Sequence, residues 1–343
     1  MNAPKVSIIC RTYNQEEIVE LAIESALNQT FKDYELIIID DASTDNTYAK
    51  IHKFHDQRIK IIKNTKNKGP IATLNMGITE AIGEYISILD GDDEYLPRKL
   101  EKQVEYLDKN PDYNAIFSYI NTIGDINNPK ILNNSNFFKS IINNPAGTRA
   151  EMLRKCFGYG TFLAFPSEMF RKRYAVLFPE HLLALSETNF HISILLYSNI
   201  KVLEEPLVNY RVVENYENKW CSSLSLENEL FFLLDRFLEI KDIEFFKEVF
   251  KNDIVDFNCI EPQLLPYILS KIAEKEIDNR RWANYNFHRY ISSSQNYQFL
   301  VDTLQMSRKE IMSNKRGLDT NPEKQGLLKK IKLKLLRLLN SGK

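Results

Sequence analysis

The sequence predicts an α/β fold, a mostly parallel sheet flanked by helices, with a helical region after it. Two observations carry that prediction. Short apolar runs alternate with segments of helical apolar spacing, joined by short loops, the pattern of strands and crossover helices. Two of the runs end in acids: Glu35–Ile39 in Asp40-Asp41, and Tyr85–Leu89 in Asp90-Gly91-Asp92-Asp93. A buried strand cannot absorb that much charge, so the acids must stand at its carboxyl end. In a parallel sheet those ends share one rim, where ligands bind.

Taken in order, Val6–Cys10 is a first strand buried on both faces. Arg11-Thr12-Tyr13-Asn14 follows as a polar loop, and Ile18, Leu21, Ala22, Ser25 and Ala26 recur at helical spacing. Glu35–Ile39 is the second strand. Ala42 to Thr47 is turn and cap chemistry leading into a helix through Ile51 and Phe54. Arg58–Ile62 is the third strand, and Asn67-Lys68-Gly69-Pro70 breaks the chain before a helix carrying Leu74, Ile78 and Ala81. The fourth strand is Tyr85–Leu89. A helix from near Pro97 carries Leu100, Val104 and Leu107, and Ala115–Tyr119 is a fifth strand. Residues 121–145 are rich in Asn and read as irregular loop. From about 226 to 313 the spacing is helical, with Leu230, Leu233, Leu234, Phe237, Phe245, Phe246, Val249 and Phe250.

Composition narrows the function. The 343 residues are 43% hydrophobic and 27% charged, an ordinary globular balance. A net charge of -1 gives no global field for nucleic acid. Cys10, Cys156, Cys221 and Cys259 are scattered without metal-ligand spacing, which suits a reducing compartment. Met1 to Lys5 runs straight into a strand, so no signal peptide is expected, and no apolar run approaches the length of a membrane span. Neither a Gly-x-Gly-x-x-Gly nor a P-loop follows the first strand. The three carboxylates around Gly91 repel one another unless a cation sits among them, and hard oxygen ligands suit Mg²⁺ or Mn²⁺ rather than zinc. A solvated acidic turn at a helix start is the bland alternative for one such set. Two sets with a polar loop beside them read better as a ligand site.

Several pieces, in order and at their spacings, resemble family 2 glycosyltransferases with the GT-A fold. They are Val6–Asn14, Gln29-Thr30-Phe31, Tyr34–Thr47, Asn67-Lys68-Gly69, Asn75–Ile78 and Gly83–Asp93. The resemblance covers residues 4 to about 120 as the nucleotide-binding half. It implies that Tyr13 and Asp41 contact the nucleotide base, with Thr12 at the same rim. Asp90-Gly91-Asp92 would be the DxD motif, with Asp92 and Asp93 holding the ribose and the Mn²⁺ or Mg²⁺ ion on the diphosphate. Gly158–Phe165 resembles the family's acceptor-side strand, and Met169–Tyr174 the helix after it.

Ser186-Glu187-Thr188 falls where the family carries Glu-Asp, whose Asp is usually the base. Thr188 cannot serve, so Glu187 is the candidate, with His191 as the other choice; Ser186 and Glu187 could equally just start a helix. Val202-Leu203 and Leu207–Arg211 resemble the next strand, followed by a segment with Trp220. The expected activity is metal-dependent, inverting transfer of a sugar, UDP-linked by expectation, to a hydroxyl of a glycan or lipid-linked acceptor. The setting would be bacterial surface-glycan assembly. A nucleotidyltransferase would show a glycine-rich basic loop after the first strand, which is missing. A sugar-nucleotide binding module without catalysis is kept open by Thr188.

The expected domains are 1–225, with halves 1–120 and 121–225, a helical accessory region 226–316, and a linker and tail 317–343. Residues 326–343 carry six Lys or Arg and no acid. There Leu327, Leu328, Ile331, Leu335, Leu338 and Leu339 share one helical face. Such segregation suits an anionic membrane surface, or a terminal helix packed on the accessory region. The expected location is cytoplasmic, peripheral on the inner face of the cell membrane if the tail binds lipid.

Overall fold

The computed structural model describes residues 3–125, 127–144, 147–159, 162–175, 177–212, 223–255, 260–276 and 280–304. Trp220 and the basic tail 326–343 lie outside the described residues. In chain order the elements begin β1 Val6–Thr12, α1 Val19–Leu27, β2 Tyr34–Asp40, α2 Thr47–Ile51, β3 Ile59–Lys63 and α3 Pro70–Glu80. Next come β4 Tyr85–Asp90, β5 Glu94–Tyr95, α4 Lys99–Lys109, β6 Tyr113–Ile123, α5 Pro129–Ile142 and α6 Arg149–Tyr159. Then follow β7 Met169–Arg171, α7 Ser186–Tyr197, β8 Asn199–Arg211 and α8 Ser223–Asp235. The last are α9 Ile243–Val249, α10 Leu265–Lys275, α11 Arg280–Ile291 and α12 Ser294–Leu304.

Among the described residues eight strands form one sheet in the order β3-β2-β1-β4-β7-β6-β8-β5. The first four run parallel. The short β7 is antiparallel to both β4 and β6, β6 and β8 are parallel, and β5 closes the edge antiparallel to β8. This mostly parallel sheet with helices packed on it is the GT-A-type architecture expected. Its centre is dry: Val6, Ile8, Ile9, Cys10, Leu36 to Ile39, Ile86, Ile88 and Leu89 are all fully buried. That is why these strands read as continuous apolar runs. Gly77 lets α3 lie close on the sheet, since a Cβ there would stand 2.4 Å from Ile9 Cγ2.

Three local readings are corrected. Residues 129–142 are the helix α5, not a loop: Asn128 caps it by accepting the Lys130 N–H at 3.0 Å, and Pro129 fills its first turn. The asparagines that read as loop include this cap and Asn143, whose side chain brackets the Ile120 backbone at 2.8 Å in each direction. Met169–Arg171 is a strand rather than a helix, and only Lys172–Tyr174 coils, as a 3-10 turn. Gly158 stands inside α6, and Phe165–Ser167 is another 3-10 turn, so among the described residues this stretch holds no strand.

By packing, the chain forms two compact units: 1–149 with 161–220, and 150–160 with 221–343. In the second, the segment 150–159 of α6 is wrapped by later helices. Phe157 packs edge-on against Phe237, Phe250 and Trp282, and Arg154 pairs with Asp253 at 2.7 Å and Glu276 at 2.8 Å. The sequence division at 225 assigns that segment to the first unit; its contacts are with the second. Among the described residues no helix is long and apolar enough to cross a membrane.

Candidate active site

Parallel register brings the polar strand ends together. Thr12 stands opposite Asp40, and Arg11 opposite Asp90. Gly91 turns the chain hard against the end of β1, where a Cβ would fall 2.3 Å from Gln15 Oε1 and 3.0 Å from Thr12 Cβ. Thr12 itself is buried, its hydroxyl donating to Gln15 Oε1 at 2.7 Å. The loops after β1 and β2 are laced together. Asn14 N–H donates to Ser43 Oγ at 2.9 Å, Thr44 N–H to Asn14 Oδ1 at 2.8 Å, and Gln15 N–H to Thr47 Oγ1 at 2.7 Å. Tyr13, just before this lacing, is 41% exposed and offers its ring for stacking.

Asp41 is buried. Its carboxylate accepts Asn64 Nδ2–H at 2.7 Å, Lys68 N–H at 2.9 Å and Gly69 N–H at 2.8 Å. It therefore fastens the loop that opens α3. The Lys68 N–H is shared with the second oxygen at 3.2 Å, so each carboxylate oxygen accepts two of these bonds.

The second acid set is balanced differently. Asp90 is gripped by Arg11, Nε to Oδ1 at 2.5 Å and Nη2 to Oδ2 at 3.2 Å. Asp93 is 2% exposed, and its Oδ1 accepts Arg211 N–H at 2.7 Å. Burial first, and then the charges of Asp92 and Asp90, push its carboxyl well above the usual range. Asp92 is pushed up to about 6, by burial and then by Asp90. Among the described residues Asp92 has no ion-pair partner, so the set carries more negative charge than its surroundings offset.

That imbalance is the test of a metal. Among the described residues no group of three or more His, Cys, Asp or Glu forms a ready cage. A Mg²⁺-type ion needs none: it is commonly held by one or two carboxylates with substrate phosphates and waters completing the shell. Asp92 fits as such a ligand, and a cation beside it would relieve the repulsion. Asp93, expected at the metal too, is turned inward onto Arg211.

Glu187 sits in the first turn of α7, its Oε1 3.2 Å from Arg11 Nη2. Burial raises its pKa and Asp90 adds to the rise, while Arg11 opposes both; still, 34% of the side chain is exposed. Thr188 is buried. His191 is 1% exposed and faces inward, its Nε2 3.3 Å from Glu168 Oε2 and its ring edge-on to Phe117. The surface carboxylate of this helix start is therefore Glu187.

The model of the family described as "Glycosyl transferase family 2" matches residues 7–174. A glycosyltransferase of Methanocaldococcus jannaschii is 32% identical over 219 residues, 62% of this chain and 72% of that protein. The chain belongs to glycosyltransferase family 2. Another relative of this family 2 glycosyltransferase is WfgD of Escherichia coli, 35% identical over 151 residues, 44% of this chain and 56% of WfgD. WfgD is named as a UDP-Glc:alpha-D-GlcNAc-diphosphoundecaprenol beta-1,3-glucosyltransferase. Other curated relatives are matched over 42% or 19% of their own length. Among solved structures, residues 1–349 of S. aureus TarS in complex with UDP share the fold, with TM-score 0.58 and 18% identity, over 94% of this chain and 92% of that one.

One residue of this family 2 glycosyltransferase was not singled out from its sequence. Arg11 read as part of a polar loop, yet it lies within β1 and joins Asp90 to Glu187, with its guanidinium carbon 5.2 Å from the Phe165 ring centroid. The available signal was a lone cation at the end of an otherwise uncharged buried run.

Proposed function

We propose that this family 2 glycosyltransferase moves a sugar from a nucleotide-diphosphate donor, a UDP-sugar, to a hydroxyl of a glycan or lipid-linked acceptor. The transfer is a single in-line displacement that inverts the anomeric centre. The observation that carries this reading is the contact of one guanidinium with both Asp90 and Glu187. It sets an acid of the acceptor half beside the acids of the donor half. The name of WfgD supports a UDP-sugar and a lipid-diphosphate acceptor, and through them surface-glycan assembly.

Tyr13 stacks on the base, Asp41 takes its ring N–H, and Thr12 borders the same pocket. Asp90 and Asp92 face the ribose and diphosphate. A divalent ion held by Asp92, when bound, offsets charge developing on the leaving diphosphate. Glu187 accepts the acceptor's proton as its oxygen attacks. No covalent intermediate is required.

Incubation with a panel of nucleotide sugars and Mn²⁺, with released UDP as readout, tests the reading. Release should rise with a glycan or lipid-linked acceptor and stop in EDTA. Glu187→Gln should slow it by about 10²–10⁴-fold while UDP binding barely changes. UDP binding without release from any donor would instead favour a binding module, the role Thr188 leaves open. We also assign the tail, residues 326–343, to an anionic membrane surface. Flotation with anionic liposomes should be lost when the chain is cut after Gln325; equal flotation would overturn the assignment.

A further inference from the structure

We propose that Arg11 is a positioning residue that holds Glu187 in place as the base, using Asp90 as its anchor. The proposal rests on the function assigned above. A glutamate side chain is long and freely rotating, and aiming it costs rotamer entropy. Thr188 is buried and a hydroxyl is no base, so the work falls to the longer carboxylate beside it. Arginine supplies five N–H donors in a rigid planar fork. Arg11 uses Nε and Nη2 on Asp90, Nη2 again on Glu187, and Nη1 on the Pro70 carbonyl at 3.4 Å. The guanidinium lies over the Phe165 ring and only 12% of the side chain is exposed. It is thus fixed by β1, β4, the start of α3 and the Phe165 turn, and it presents one edge to α7.

The charged and titratable groups around Glu187 are Arg11 from β1, Asp90 from β4 and the His191 ring on its own helix. Arg11 favours the ionised carboxylate, and Asp90 and burial oppose it. In the step itself, the acceptor oxygen bonds to the anomeric carbon and its proton passes to Glu187. The bond from that carbon to the diphosphate breaks, and the electron pair leaves on the diphosphate. Without Arg11 the carboxylate would be both unaimed and protonated up to a higher pH.

The test is the pH profile of transfer for the native chain, Arg11→Gln, Arg11→Lys and Glu187→Gln, with UDP binding measured alongside. Arg11→Gln should lower kcat at neutral pH by roughly 10–100-fold, a fraction of what general base catalysis contributes. Its acid limb should move to higher pH, so part of the rate returns in alkali, with UDP affinity little changed. Arg11→Lys should keep the limb near its native position and still lose rate, because one ammonium cannot grip both carboxylates. A rate loss equal at every pH, an unmoved limb in Arg11→Gln, or loss of UDP binding would overturn the proposal. Each would make Arg11 part of the fold or of the donor site. If Glu187→Gln transfers at the native rate, the assignment of the base fails first; if it is crippled while Arg11→Gln is not, the positioning role alone fails.

Discussion

The ends of β2 and β4 look alike in sequence, each an apolar run closing in acids, but the folded chain treats them in opposite ways. At the end of β2, Asp41 is buried and satisfied by three N–H groups of the Asn64–Gly69 loop. At the end of β4, burial and mutual repulsion push Asp92 and Asp93 up, and among the described residues only Asp90 has a cation in its grip. One set of acids builds the rim. The other holds charge there that the free protein does not balance, the condition in which a cation adds most. Adjacent acids are therefore not one signal; whether backbone donors or repulsion surround them separates scaffold from chemistry.

The largest expected effect comes from removing the unbalanced charge. Asp92→Asn should lower transfer by at least ~10²-fold, the scale of losing one charge-stabilising group. The same substitution should stabilise the free chain. With a folded pKa of about 6, above the ordinary carboxylate value, Asp92 binds its proton more tightly in the folded state. Its contribution to stability is therefore present at low pH and is lost as pH rises from about 4 to about 6. Thermal denaturation in EDTA at pH 5 and pH 8 should show the native chain losing more stability between the two than Asp92→Asn. An equal loss would mean the repulsion is relieved by other means.

Asp41 should behave in the reverse sense. Asp41→Ala strands the buried Asn64 side-chain amide and leaves the part-buried Lys68 and Gly69 N–H groups without their acceptor. Losing hydrogen bonds to a charged acceptor and leaving donors unpaired should cost about 2–4 kcal/mol in chemical denaturation. UDP binding should weaken along with it, because the loop it fastens forms one wall of the rim. A variant as stable as the native chain but unable to bind UDP would make Asp41 a ligand contact alone.

The first 120 residues were legible because burial on both faces writes itself into β1, β2 and β4 as unbroken apolar runs, and because charge cannot enter such strands. The residues from about 121 to 212 were not. β7 is three residues long and carries no period. β8 runs through Glu204, Glu205 and Pro206, where its pairing with β6 slips register, so no apolar run marks its middle. α5 is polar enough that its cap and its Asn143 bracket masqueraded as loop chemistry. Arg11 was hidden for a different reason: its partners are 79 and 176 positions away, and only the sheet brings them together.

The smallest expected effect tests how the β2 end is held. Immediately after Asp41, Ala42 adopts φ +60°, and Asn14 in the facing loop adopts φ +50°. For an L-residue the left-handed region costs roughly 1–2 kcal/mol, and asparagine bears it better than alanine. Glycine at 42 would remove that cost but would add about 0.4–1 kcal/mol of unfolded-state entropy. Ala42→Gly should therefore gain under about 1 kcal/mol, read by chemical denaturation, with UDP binding unchanged. The β2 end would then carry its strain in the backbone, where glycine can relieve it, and the β4 end in its charges, where only a cation or the loss of a carboxylate can. A destabilised Ala42→Gly would place the restraint elsewhere. The bonds from Asn14 to Ser43 and Thr44 would then be forcing the turn, and the added freedom of glycine would work against them.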